Sequence, residues 1–275
     1  MPPADSVRRT ARTKYIRLLA SMASPVAAAA PATPDRVLTL TNALSSVTAR
    51  IAAVTQSSTA PVPRLVAVSK LKPASDVLAL YTAADQRHFG ENYVQELVDK
   101  AAQLPSDIHW HFIGSLQSNK CATLASIPNL FAVETVDAVK KARKLNDARS
   151  DEWDMLNVFI QVNTSGEESK SGAAPGKDTV EVARYIVGQC PRLKLLGLMT
   201  IGSIARSRAA ADGEQNPDFA ALMETKRLVE AEVGVDGLEL SMGMSDDFED
   251  AIKQGSTNVR VGSNIFGARP PKKSS

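Results

Sequence analysis

Cysteine is nearly missing from this chain, with only Cys121 and Cys190 among 275 residues. Two thiols make no disulfide framework, and both read most simply as small buried hydrophobes in a reducing compartment. Long apolar runs are missing too. None approaches the ~20 residues that cross a bilayer, so no membrane role is expected. The folded body also has no excess of positive charge. The chain carries +2 overall, but Arg8, Arg9, Arg12, Lys14 and Arg17 against Asp5 give the first 33 residues +4, leaving −2 for the rest. A nucleic-acid binder would need a basic body, so that class is set aside. Several chemistry-bearing motifs are absent as well. There is no G-x-G-x-x-G and no G-x-S-x-G, and Gly172 to Lys177 fails as a phosphate loop because three residues separate its glycines and Asp178 follows the lysine. His109 and His111 share a strand face, but no third ligand stands near them in sequence, so no metal site is expected.

The 44% hydrophobic and 23% charged composition is that of an ordinary globular chain. Residues 1–34 form a leader that is Arg-rich, acid-poor and rich in Ala, Ser and Pro. It matches a mitochondrial transit peptide in composition, and equally a disordered tail or sequence upstream of initiation at Met22, which leaves the compartment open between mitochondrion and cytoplasm. Pro25, Pro31 and Pro34 put the start of the folded domain near residue 35, and that domain is expected to run to 270, with 271–275 as a tail.

From residue 64 on, short β-branched runs alternate with amphipathic stretches, the pattern of repeated β-α units. Eight strands are expected: Leu65–Ser69, Arg87–Gly90, Trp110–Gly114, Leu130–Val133, Asn157–Val162, Leu195–Thr200, Leu238–Met242 and Asn258–Val261. Val94, Leu97, Val98 and Ala101 fall on one helical face, with Asn92 as the expected N-cap and Gln95 three residues on. Residues 36–56 form another amphipathic helix, with Val37, Leu40, Leu44, Val47 and Ile51 on one side, that covers the barrel's outside or base. Eight units in about 210 residues, without a linker or composition shift, favour one closed (β/α)8 barrel over an open doubly wound sheet. Residues 203–217 read as a long surface loop.

Barrel chemistry gathers at the carboxyl ends of the strands. The first run ends on Lys70, where partial desolvation would lower the amine's pKa and ready it to form an imine with a carbonyl. From position alone a lysine snorkelling to solvent satisfies the same pattern, and Lys72 stands next door. On the other side, Met242-Gly-Met-Ser245 leads into a short helix with Ser245 at the expected N-cap. The eighth strand ends Arg260, Val261, Gly262, Ser263, with Arg260 and Gly262 on one face and Val259 and Val261 turned toward the helices. Turns after strands seven and eight are where barrels bind phosphate, although a plain turn accounts for Gly-Ser equally well.

With those residues in view, the sequence resembles the pyridoxal phosphate homeostasis family, also called the proline-synthetase-co-transcribed family. The matching segments are Leu65-Val-Ala-Val-Ser-Lys70, Phe89-Gly-Glu-Asn-Tyr-Val-Gln-Glu96, Trp110-His-Phe-Ile-Gly114, Val162-Asn-Thr-Ser-Gly-Glu-Glu-Ser-Lys170, Gly197-Leu-Met-Thr-Ile-Gly202, and Ser241-Met-Gly-Met-Ser245 through Phe266-Gly267. The resemblance implies a barrel like the N-terminal domain of alanine racemase, with pyridoxal 5′-phosphate (PLP) as an imine on Lys70. It also implies that Ser245, Gly262 and Ser263 bind the cofactor phosphate. Arg260 matches the arginine that faces the pyridine nitrogen in alanine racemase, and Asn92 and Met199 line the ring pocket in the same comparison. Members often carry threonine where Ser263 stands, and the hydroxyl is kept.

A guanidinium beside the ring nitrogen weakens the cofactor as an electron sink. Alanine racemase also uses a tyrosine from a C-terminal β-domain of its partner subunit, and this sequence ends at Ser275. Tyr15 lies in the leader, Tyr81 and Tyr185 fall within expected helices, and only Tyr93 stands near a strand end. The resemblance therefore implies a carrier that holds PLP, limits its reaction with stray amines and releases it to apo-enzymes. It implies a monomer and no working catalytic apparatus. The alternatives are a PLP-dependent amino-acid racemase with Lys70 as one base, and a lysine-imine aldolase acting on a sugar phosphate.

Overall fold

Strands and helices alternate along the residues described by the computed structural model, which are 27–56, 61–203, 206 and 215–268. Most of the expected leader, the whole 271–275 tail and most of the 203–217 loop lie outside the described residues. The strands are β1 (Arg64–Val68), β2 (His88–Glu91), β3 (His109–Phe112), β4 (Leu130–Val136), β5 (Leu156–Gln161), β6 (Leu193–Met199), β7 (Glu239–Ser241) and β8 (Asn258–Val261). The helices are α1 (Pro34–Thr55), α2 (Ala74–Ala84), α3 (Val94–Gln103), α4 (Cys121–Ala125), α5 (Val139–Ala148), α6 (Lys177–Gln189), α7 (Pro217–Val233), α8 (Phe248–Lys253) and α9 (Ser263–Phe266). Each expected strand is present, with ends that coincide or move by up to three residues. Two shifts matter for the site. β1 stops at Val68, so Lys70 stands beyond the ladder, and β4 runs on through Glu134 to Val136.

Every strand pairs parallel with its neighbours in sequence, and β1 pairs with β8 through Val66↔Arg260 and Ala67↔Val261, closing the barrel. Period-two alternation divides the side chains into two populations. Phe89, Trp110, Val133, Val158, Leu240, Val259 and Val261 join the large apolar layer between strands and helices. The barrel's inner side holds a small apolar cluster of Ala132, Phe159 and Met199. Alongside it lie His111, Glu134, Ser241, Asn258 and Arg260, all buried. The interior is therefore half polar, a costly choice unless every group is satisfied.

α1 begins as the sequence directs: Thr33 Oγ1 accepts the Arg36 amide at 3.3 Å and proline stands in the first turn. Leu40, Leu44, Val47 and Ile51 are buried, a stripe worth about 2 kcal/mol per residue. By length and composition α1 is apolar enough to cross a membrane, which corrects the expectation that no segment reaches that length. Its apolar stripe is nevertheless taken up by the barrel, where the helix packs against α2, α8 and α9. Arg36 ties the three parts together, donating to Asp76 at 3.2 and 2.6 Å and to the Phe266 carbonyl at 3.0 Å.

Candidate cofactor-binding site

At the carboxyl ends of the strands lies a cavity of about 350 Å³, and all seven residues singled out in the sequence line it: Lys70, Asn92, Met199, Ser245, Arg260, Gly262 and Ser263. They come from five different strand ends spread over almost 200 positions of chain. Larger hollows of about 760 and 750 Å³ open at the opposite end of the barrel, around His109. Arg64 with Glu239, and Arg87 with Asp85 and Asp107, are already in ion pairs there, Arg149 donates to backbone carbonyls, and no lysine lines either hollow. The smaller cavity is the chemically equipped one.

Lys70 is presented by a corner rather than by a strand. The next residue, Leu71, takes φ 60°, a conformation disfavoured for a branched side chain. Hydrogen bonds to α3 hold that corner on both sides of Lys70. Lys100 Nζ donates to the Ser69 carbonyl at 2.8 Å, and the Leu71 amide donates to Glu96 Oε1 at 2.7 Å. Below them, Glu91 Oε1 accepts from Ser69 Oγ and from Lys100 Nζ, each at 2.6 Å. Burial pushes the Glu91 carboxyl up to about 7, against the pull of the Lys100 ammonium and the Ser69 hydroxyl. Lys72 lines the same cavity, with its ammonium donating to the Ala268 carbonyl at 2.7 Å.

Asn92 is not the N-cap of α3. Tyr93 takes that position without a side-chain cap, because the chain is still extended there, with φ −118° and ψ 125°. Asn92 is held just before it by the next strand end: a Cβ on Gly114 would fall 1.9 Å from the Asn92 carbonyl oxygen, so only glycine permits the approach. The Asn92 Oδ1 atom is buried and has no hydrogen-bond partner among the described residues. An orphaned acceptor lining a cavity fits a ligand that brings a donor. Tyr93 itself is 53% exposed.

Ser245 is likewise displaced from its expected place. Gly243, at φ 92°, turns the chain for two further residues, so α8 starts at Phe248 with Asp247 at the N-cap, and Asp247 Oδ1 accepts the Met244 amide at 2.6 Å. Ser245 instead joins the turns that follow β7 and β8. Its hydroxyl accepts the Gly262 amide at 3.2 Å, and its carbonyl accepts Asn264 Nδ2 at 2.9 Å. Ser245, Gly262 and Ser263 thereby form one polar wall, and Val68, Ile113 and Met199 supply apolar surface.

Arg260 is only 5% exposed. One Nη donates to Ser241 Oγ at 2.5 Å and the other to the Thr200 carbonyl at 2.8 Å. Burial lowers its pKa, and the charges of Glu134 and Asp247 pull it back up. The sequence reading missed Glu134, Ser241 and Asn258, which support this arginine. A signal was available. Glu134 interrupts an apolar strand, and Asn258 shares its strand parity with Arg260. His88 was also missed; it stacks edge-on against both His109 and His111.

The profile of a family described as alanine racemase, N-terminal domain, matches residues 43–270. A relative from Schizosaccharomyces pombe, named pyridoxal phosphate homeostasis protein, is 51% identical over 211 residues, covering 77% of this chain and 86% of that protein. A Homo sapiens relative of the same name is 48% identical over 216 residues, covering 75% and 77%. Among solved structures, PipY of Synechococcus elongatus with PLP bound is 29% identical at a TM-score of 0.65, covering 83% of this chain and all of that one.

Proposed function

The chain belongs to the pyridoxal phosphate homeostasis protein family, and we propose that it binds PLP in the cavity at the barrel mouth and serves in PLP homeostasis. The observation that carries the reading is the convergence of an amine, two hydroxyls, a guanidinium and an orphaned amide oxygen on one cavity of ligand size. Lys70 holds the aldehyde carbon as an imine, a carbonyl being what a partly desolvated amine captures. Ser245, Gly262 and Ser263 hold the phosphate, Met199 and Asn92 border the ring, and Arg260 faces the ring nitrogen. When bound, PLP supplies an electron sink, and the Arg260 guanidinium weakens it by disfavouring a protonated ring. The residues here therefore suit storage and release to apo-enzymes better than turnover. Tyr81 and Tyr185 lie on α2 and α6 and Tyr93 is largely exposed, so the described tyrosines do not line the cavity. The protein acts as a monomer.

The test is the absorption spectrum of purified protein loaded with PLP, comparing wild type with Lys70→Ala and Lys72→Ala, followed by borohydride reduction and peptide mass spectrometry. The reading expects a long-wavelength imine band and a reduced pyridoxyl group on Lys70 that only the Lys70 variant loses. A featureless spectrum in the presence of PLP would overturn it. Solvent-deuterium exchange at an amino-acid α-carbon faster than with PLP alone would replace the carrier by a racemase. Transfer to an apo-enzyme no faster than from PLP in solution would remove the delivery role.

A further inference from the structure

A continuous line of hydrogen bonds crosses the barrel from one end to the other, exposed at His109 and buried from His111 inward. It starts with His109 at the amino ends of the strands, whose Nδ1 lies 3.4 Å from His88 Nε2. It continues from His88 Nδ1 to His111 Nε2 at 2.9 Å and from His111 Nδ1 to Glu134 Oε1 at 2.6 Å. Glu134 Oε2 accepts from Ser241 Oγ at 2.5 Å, and Ser241 receives the Arg260 guanidinium. Glu134, His111, Ser241 and Asn258 are all 0% exposed.

The chemistry of the donors fixes the direction of the inner part of this line. Ser241 has one proton, and its other two neighbours, Arg260 Nη1 and Asn258 Nδ2, can only donate to it. The hydroxyl proton must therefore point at Glu134. Asn258 Nδ2 also leans on both Glu134 oxygens, at 3.3 and 3.4 Å. Glu134 thus accepts from Ser241 and Asn258, and His111 Nδ1 can donate to its other oxygen, a setting that favours the anion. Its pKa agrees: burial pushes it up, but the His111 hydrogen bond and the charges of His111 and Arg260 bring it below the ordinary carboxylate range.

We propose that Glu134 is a positioning residue for the cofactor site, holding the Arg260 guanidinium through Ser241 and setting the charge that Arg260 presents to the ring. This rests on the reading that PLP occupies the mouth cavity, and it adds the residue that governs the electrostatics there. Other charged groups face the line and enter the comparison. From β1, Arg64 is ion-paired to Glu239 of β7. Asp247 ahead of α8 also acts on Arg260, while its Oδ1 is taken by the Met244 amide. Lys70, Lys72 and Asp246 line the same cavity.

Without the Glu134 charge, the buried guanidinium loses its counter-ion and the positive potential over the cavity rises. A protonated imine nitrogen on Lys70 becomes harder to form. The experiment titrates the visible band of PLP-loaded protein against pH in wild type, Glu134→Gln, Ser241→Ala and Asp247→Asn. The expected result is a downward shift of the band's midpoint by about one pH unit in Glu134→Gln, a ten-fold change in proton affinity. A smaller shift of the same sign is expected in Ser241→Ala, with pyridoxyl still found on Lys70 after reduction. A readout on cofactor-free protein accompanies it: the Arg260 Nη–H resonances should exchange with water slowly in wild type and quickly in Glu134→Gln and Ser241→Ala. If Glu134→Gln does not fold, Ser241→Ala carries both measurements. Midpoint and exchange rate unchanged from wild type in these variants, or a shift found only in Asp247→Asn, would overturn the proposal. A wild type with no Lys70-dependent band would instead sink the cofactor reading, and the exchange measurement would still decide the role of Glu134 toward Arg260.

Discussion

Lys100 Nζ lies 2.6 Å from Glu91 Oε1, with both side chains almost fully withdrawn from water, and the same ammonium reaches the carbonyl of the residue preceding Lys70. A helix lysine and a strand-end glutamate are thereby the underside of the corner that carries Lys70. Breaking such a pair leaves the Glu91 carboxylate buried without its cation, which costs about 3 kcal/mol or more above about pH 7, where the carboxyl is charged. Lys100→Met is expected to destabilise the protein on that scale, measured by urea denaturation, and to weaken capture of PLP by Lys70. Unchanged PLP affinity in a folded Lys100→Met protein would disconnect the pair from the corner.

Glu91 also gives stability a pH signature. Its folded pKa of about 7 stands above the ordinary 4.5. The contribution from its protonated form is therefore complete below 4.5 and is lost as pH rises through about 7, at a slope of up to about 1.4 kcal/mol per pH unit. Glu91→Gln keeps the neutral shape and should abolish this loss. Denaturation curves between pH 4.5 and 8 that keep the wild-type slope in Glu91→Gln would place the titration elsewhere.

His88 works in the opposite direction. Burial, together with the charges of His111, His109 and Arg64, lowers its pKa from 6.5 to about 2. Its neutral form stabilises the fold above 6.5, and that contribution is lost progressively as pH falls toward 2. Between 4.5 and 6.5 the two residues offset each other, so wild type should show a shallow profile there. In Glu91→Gln the His88 effect should emerge, with stability falling as pH drops below 6.5, as thermal melts across that window would report.

Gly243 makes the turn that delivers Ser245. At φ 92° an alanine is strained, and its Cβ would come within 2.6 Å of Ala251 Cβ and 3.0 Å of Phe248 Cα. Gly243→Ala is expected to cost about 2–4 kcal/mol, read as a lowered Tm. A variant as stable as wild type would show that the turn relaxes at no cost.

If Ser245 holds the phosphate as proposed, its removal separates phosphate binding from general packing. Ser245→Ala removes the acceptor for the Gly262 amide, a hydrogen bond worth about 1 kcal/mol. Stability should fall by no more than that, whereas affinity for PLP drops about ten-fold or more through loss of a charge-assisted contact. Affinity for pyridoxal, which has no phosphate, should stay as it was. Equal losses for both ligands by equilibrium dialysis would remove the phosphate from this wall.

The barrel could be read from the chain alone because its causes are local. A period of two in eight short runs, a period of 3.6 between them and the lack of any break in composition leave few architectures. Lys70, Arg260 and the Gly262-Ser263 pair were visible for the same reason, as polar residues ending apolar runs. The two capping assignments failed because neither turn is a local matter. Gly114 presses on the Asn92 carbonyl from another strand, and Gly243 turns against α8, so Tyr93 and Asp247 became the caps. The support of the site lay further out of reach. Glu134 meets Ser241 across 107 positions, and Lys100 finds Glu91 only when α3 folds back on β2. Which polar groups face one another inside a closed barrel depends on register and closure, and a linear pattern specifies a residue's face without specifying its opposite number.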